Sequence, residues 1–283
     1  MNLMEFEVKA KLKYKVKSDS SIILSIHASD KYQKIVDETL IISPKIVATE
    51  MESAWEGNRL ISLAVKPAEN LSITYKAIVN NSFKIKEIRN VREADIAKLP
   101  SDVLPYLYPS RYCQSDKLYR LANNMFGYKK NDFEKVQALT YWIYLNVEYL
   151  SGSTDSETSA YDTVTEQAGV CRDFAHLGIA LCRALTIPAR YFTGYAYLLQ
   201  PQDFHACFEA YINGQWLLFD ATKLVPLNGM IKIATGRDAA DAAVANIFGD
   251  VDFVSSAVSC DLVDQSLEPF YADHEQNFAI SYT

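Results

Sequence analysis

The chain has 283 residues, 49% hydrophobic and 22% charged, a composition that fits a folded globular protein and excludes a disordered one. No apolar run reaches the roughly 20 residues of a membrane-spanning helix, and a net charge of −7 leaves no global basic footprint for nucleic acid. The charge is uneven: residues 1–100 hold 16 Lys and Arg against 13 Asp and Glu, residues 101–283 hold 12 against 22, and the break points to two domains.

The opening "MNLMEFEVKAKLKYKVK" mixes charges with apolar residues instead of placing them before an apolar block, so the expected location is the cytoplasm. From Phe6 to Lys17 the alternation is strict. Phe6, Val8, Ala10, Leu12, Tyr14 and Val16 share one face, and Glu7 and five lysines share the other, which is the period of a half-buried strand. "SIILSIHA", "ETLIISP", "RLISLAV" and "NLSITYKAIVNN" follow as short β-rich runs parted by turn residues. Residues 1–95 therefore read as an antiparallel β-sandwich, with His27 a strand residue inside it.

"DIAKLPSDVLPYLYP" is a proline-rich boundary passage. Residues 96–283 then change period. "QSDKLYRLANNMFG" and "NDFEKVQALTYWIYLNVEY" are helical, with Asp132 capping or beginning the second and Val136, Leu139, Ile143 and Val147 on one stripe. "SGSTDSETSAYD" reads as a polar loop, and a helix runs from about Arg172 to Ala184. Strands over 189–199, 204–212 and 214–222 follow, the last two joined at Asn213-Gly214. The class is α+β: helices first, then an antiparallel meander.

Five cysteines without a CxxC give neither a disulfide framework nor a zinc knuckle. Cys171 stands out because it opens a helix. The partial positive charge and free N–H groups there favour a thiolate and can hold an oxyanion. Gly169 permits a tight turn before it. A two-residue hairpin turn pairs Ile212 with Gln215; the same register sets His205 opposite Thr222 and diagonal to Asp220. Asp220 can then orient the imidazole, His205 can take the thiol proton, and Cys171 can attack. A zinc site of Cys171, His205, Cys207 and Asp220 is the competing reading, but the spacing matches no compact zinc motif.

"GVCRDFAHL…LCRALTIPARYFTGY" followed by "HACFEAYINGQWLLFDAT" resembles the transglutaminase-like superfamily. The similarity is to its bacterial branch, whose members are described as candidate cysteine proteases with a β-rich N-terminal domain. "LPSDVLPYLYPSRYCQSD", "GSTDSETSA" and "IATGRDAADAA" look like further signatures of that branch. The resemblance implies a papain-like core, Cys171 as nucleophile, His205 as general base and acid, and Asp220 as the orienting acid. It implies acyl transfer on a peptide or protein amide through a thioester, ending in hydrolysis or transamidation, with hydrolysis favoured. It implies no cofactor, and no D-x-D-x-D-G calcium loop occurs. A non-catalytic binding or scaffold protein with a vestigial site, presenting the lysine-rich strand face to an acidic partner, is the alternative.

Other residues have plainer readings. Where related domains carry an aromatic two residues after the histidine, this chain has Cys207, which either borders the site or fills the core. Trp142 and Tyr149 are candidates for a second oxyanion donor but fit a hydrophobic face. His176 lies five residues past Cys171, on another helix face, and reads as structural. Cys182 reads as core, and Cys113 and Cys260 carry no signal. His274 reads as solvated in a polar tail. Arg172, Asp173, Arg237 and Asp238 can contact substrate or form structural ion pairs.

Overall fold

The computed structural model describes residues 3–54, 56–89, 91, 93–263 and 266–282. The strand Leu3–Val16 forms as its alternation predicts: Phe6 to Val16 bury every second side chain, while Lys9, Lys11 and Lys13 face solvent. Around it a first sheet runs in the order Val251–Leu262, Leu3–Val16, Ala68–Ser82, Gln33–Ser43. A second sheet runs Ala245–Phe248, Ser20–Leu24, Arg59–Val65, Thr49–Glu52. Phe6, Val8 and Leu12 share one core with Ile22, Leu24, Ile61 and Leu63, which makes the pair a sandwich. The lysine face carries exposed ion pairs such as Lys76–Glu7 and Lys15–Glu69, both at 2.9 Å, as a solvated face does.

The boundary expected between 95 and 96 does not separate these sheets. Each takes a strand from the 245–262 stretch, and Lys84–Glu87 leaves the sandwich to end the third sheet. The physical reason is that the long edge of Leu3–Val16 needs a partner on both sides, and the first 95 residues supply only one.

The third sheet runs Met230–Gly236, Ala189–Ala196, Phe204–Ile212, Gln215–Phe219, Phe278–Ser281, Lys84–Glu87, antiparallel throughout. The expected hairpin is present. Asn213 and Gly214 both have positive φ, 51° and 77°, and pairing proceeds from Ile212–Gln215 to Phe208–Phe219. The meander was read as three strands, without Met230–Gly236, Phe278–Ser281 and Lys84–Glu87, which widen it to six.

Helices Ser115–Phe126, Asp132–Asn146, Ala160–Glu166 and Cys171–Ala184 join the core on one face of this sheet. Asp132 begins its helix, and the capping side chain is that of Asn131, which accepts the Glu134 N–H at 3.0 Å. The polar loop ends sooner than expected. Ser159 starts a helical turn, its N–H bonded to the Asp162 carboxylate at 2.9 Å, so the Ser-x-x-Asp spacing was the missed signal. The helix Cys171–Ala184 is buried from Asp173 to Ala184 and lies close on the strand Phe204–Ile212. Gly178 allows that approach: a Cβ there would stand 2.4 Å from the Phe208 ring. Among the described residues no helix is long and apolar enough to cross a membrane.

Candidate active site

Cys171 is the first residue of its helix and is partly exposed, whereas Cys113, Cys182, Cys207 and Cys260 are buried; all five are free thiols. The helix start is held from three directions by Asp173, whose side chain is fully buried. The carboxylate accepts the Val170 N–H at 3.0 Å and the Thr154 hydroxyl at 2.8 Å, and Arg172 grips it through Nε at 3.0 Å. Arg172 also donates to the Asp155 carbonyl at 2.6 Å. The "GSTDSETSA" loop therefore braces the nucleophile's turn, and Arg172 and Asp173 are spent on that brace. Gly169 serves it too, by clearance instead of a left-handed turn: a Cβ there would sit 2.8 Å from the Asp173 Cβ.

His205 lies one residue into the strand Phe204–Ile212 and is 1% exposed. Its Nε2 is 2.9 Å from Oδ2 of Asp220, as the hairpin register requires. Asp220 is held in turn by Thr222, whose N–H and hydroxyl both reach Oδ1 at 2.8 Å. Burial pulls the imidazole toward neutrality, but the Asp220 charge and hydrogen bond, and then the Cys171 thiol, outweigh it and push the ring up to about 10. With Nε2 taken by the carboxylate, Nδ1 has no hydrogen-bond partner in the resting arrangement and is the nitrogen free for the sulfur. The structure thus brings Cys171, His205 and Asp220 together.

Tyr149 was set aside as a hydrophobic-face residue, and its position shows more. The two-residue strand Glu148–Tyr149 pairs in parallel with Ala168–Gly169, and the Leu150 N–H bonds the Gly169 carbonyl at 2.9 Å. That register sets Tyr149 beside the nucleophile's turn, with its ring against Phe174. Partial burial, and next the Cys171 charge, push its hydroxyl up to about 12, so it keeps its proton at neutral pH. Trp142 instead packs on Phe126.

The remaining candidates are structural. Cys207 is 1% exposed in an apolar cluster with Phe192 and Leu218, so it fills the core behind the site. His176 accepts the Ala239 N–H at 3.1 Å and stacks on Tyr112; burial pulls its ring down to about 3, which keeps it neutral. Arg237 pairs with Asp241 at 2.8 Å, and Asp238 accepts the Tyr112 N–H at 2.9 Å. Buried Arg183 ties the proline-rich passage to the sheet through the carbonyls of Tyr108, Ala189 and Arg237. His274 is not simply solvated: its ring stacks on Tyr141 at 3.6 Å. Among the described residues no cluster of three His, Cys, Asp or Glu is placed to hold a metal ion.

A family model described as bacterial transglutaminase, N-terminal domain, matches residues 4–102, and one described as transglutaminase-like superfamily matches residues 119–221. Among solved structures the chain is similar to a candidate cysteine protease from Cytophaga hutchinsonii, 51% identical with a TM-score of 0.96, over 99% of this chain and 98% of that one. Among curated proteins it is similar to an uncharacterised protein of Mycobacterium leprae, 32% identical over 149 residues, 48% of this chain. It is also similar to an uncharacterised protein of Mycobacterium tuberculosis, 36% identical over 81 residues, 29% of this chain. The chain spans about half the length of the first of these, 52%, and 26% of the second.

Proposed function

Because this chain belongs to the transglutaminase-like superfamily, we propose that it is a thiol enzyme that cleaves peptide or protein amides through a Cys171 thioester. The observation that carries this reading is the alignment of a half-exposed thiol at a helix start with a buried imidazole fixed 2.9 Å from a carboxylate.

In this mechanism the protonated ring and the helix N-terminus favour the thiolate. The sulfur attacks the amide carbon, and the oxyanion is held by the Cys171 N–H, with the Tyr149 hydroxyl as second donor. His205 passes its Nδ1 proton to the departing amine, which leaves the thioester. Water then gives a proton back to Nδ1 and attacks the thioester, releasing a carboxylic acid and restoring the thiolate beside the protonated ring. A primary amine in place of that water completes transamidation. Hydrolysis is the outcome proposed here, since the partly exposed Cys171 can be reached by water. The five free thiols fit a reducing compartment, and the proposal places the enzyme in the cytoplasm, without a cofactor.

The test is iodoacetamide labelling followed by peptide mass spectrometry across a pH series. Cys171 should react fastest and stay reactive well below the free-thiol value of about 8.5, and His205→Ala should remove that low-pH reactivity. A Cys171 that labels no faster than the buried cysteines, or identically in both proteins, sinks the triad and leaves the non-catalytic scaffold reading. If the triad stands, a peptide-amide screen with and without a free amine separates hydrolysis from transamidation.

A further inference from the structure

Behind His205 and Asp220 the chain makes a tight turn that folds back onto the carboxylate. Asp220 directly follows the strand Gln215–Phe219 and is buried. Its Oδ2 faces the imidazole at 2.9 Å. Its Oδ1 is taken by Thr222, which donates to it from both the N–H and the hydroxyl, each at 2.8 Å. The same hydroxyl lies 2.9 Å from Oδ2, and Thr222 is itself buried.

The direction of that hydroxyl is fixed by the next turn of chain. Thr222 Oγ1 accepts the Leu224 N–H at 3.2 Å, so its single hydrogen is left to point at the carboxylate. Lys223, between them, has a left-handed φ of 54° and sets its ammonium over the Tyr141 and Tyr144 rings, away from Asp220. Among the described residues the Asp220 carboxylate makes one ion pair, with His205. The other titratable groups facing this pair are Cys171 and Cys207 on the ring side, and Tyr141, Asp273 and His274 around the small cavity behind Asp220. Among the described residues none of these five hydrogen-bonds the carboxylate. Thr222 alone stands between Asp220 and a free choice of orientation.

We propose that Thr222 is a positioning residue of the candidate site: its hydroxyl fixes the Asp220 carboxylate so that Oδ2 holds the imidazole and Nδ1 faces the Cys171 sulfur. This role rests on the triad reading above and adds one residue to it. A carboxylate turns easily about its last bond and can offer either oxygen. Two donors on Oδ1 remove that freedom. Linked hydrogen bonds also strengthen one another, so the series Leu224 N–H, Thr222 hydroxyl, Asp220 and His205 supports the ring in its protonated form. Without the hydroxyl the ring gives up its proton more readily, and the thiolate it favours at low pH is lost with it.

The experiment is iodoacetamide labelling of Cys171 across a pH series in wild type, Thr222→Val and Thr222→Ser, with thermal unfolding of each. Valine keeps the shape and the backbone N–H but drops the hydroxyl; serine keeps the hydroxyl and drops the methyl group. In the valine variant the onset of labelling should move up by about one pH unit, which makes it roughly tenfold slower near pH 6. Its rate should rejoin wild type above the free-thiol value of about 8.5, where the thiolate forms unaided. A purely structural defect slows labelling at every pH instead. Serine should follow wild type at low pH whatever its thermal midpoint, which keeps the test decisive if the valine variant does not fold. Wild-type Cys171 without low-pH reactivity overturns the triad reading and this role together. With that reactivity present, a valine profile that overlays wild type, a valine profile lowered equally at all pH values, or a serine profile displaced by about one pH unit overturns the role of Thr222 alone.

Discussion

Burial alone would leave the His205 ring neutral, and the Asp220 carboxylate reverses that. The sign of the linkage follows. Because the folded ring titrates near 10 and the unfolded one near 6.5, its protonated form stabilises the fold fully below about pH 6.5. That contribution is lost as pH rises through 10. Asp220→Asn should therefore destabilise the protein by about 3 kcal/mol at neutral pH, and the gap to wild type should narrow as pH approaches 10. Urea midpoints at the two pH values check this; a gap that does not narrow means the ring is not held protonated. Tyr149 was the residue the sequence hid, because a two-residue bridge leaves no periodic trace.

The helix Cys171–Ala184 is fixed at its start by Asp173 and along its length by close contact with the sheet. Asp173→Ala removes an N-terminal cap and strands Arg172 and Thr154, so it should cost about 1–3 kcal/mol and slow Cys171 labelling at the same time. Gly178→Ala should cost a similar amount through overpacking on Phe208 with less effect on labelling. Thermal unfolding and labelling rates, measured together, separate a positioning defect from a packing defect. These elements were legible because their rules are local. Period two exposed Leu3–Val16, and Asn213-Gly214 fixed a register that carried His205 to Asp220. The strands Ala245–Phe248, Val251–Leu262 and Phe278–Ser281 were not legible as part of these sheets. Which edge a strand joins depends on what the rest of the chain leaves open.

At the scale of the molecule, the sandwich and the third sheet exchange strands, so neither half of the chain contains a complete set. A fragment of residues 1–95 keeps Ala68–Ser82 beside Leu3–Val16 but lacks Val251–Leu262 and Ala245–Phe248. It should be aggregated or unfolded by size-exclusion chromatography and circular dichroism, while the full chain is not. A well-folded monomeric fragment would mean the late strands are an addition to the sandwich and not a part of it.

The pairing of Leu3–Val16 with Val251–Leu262 also sets an order of events during synthesis. Leu3–Val16 leaves the ribosome long before Val251–Leu262, and for that whole interval it has an unpaired edge. Lys9, Lys11 and Lys13 repeat along its outward face, and like charges repel a second nascent chain that offers the same edge. A lysine row that looks decorative in the finished protein is, for the unfinished one, protection against its own neighbours on the polysome.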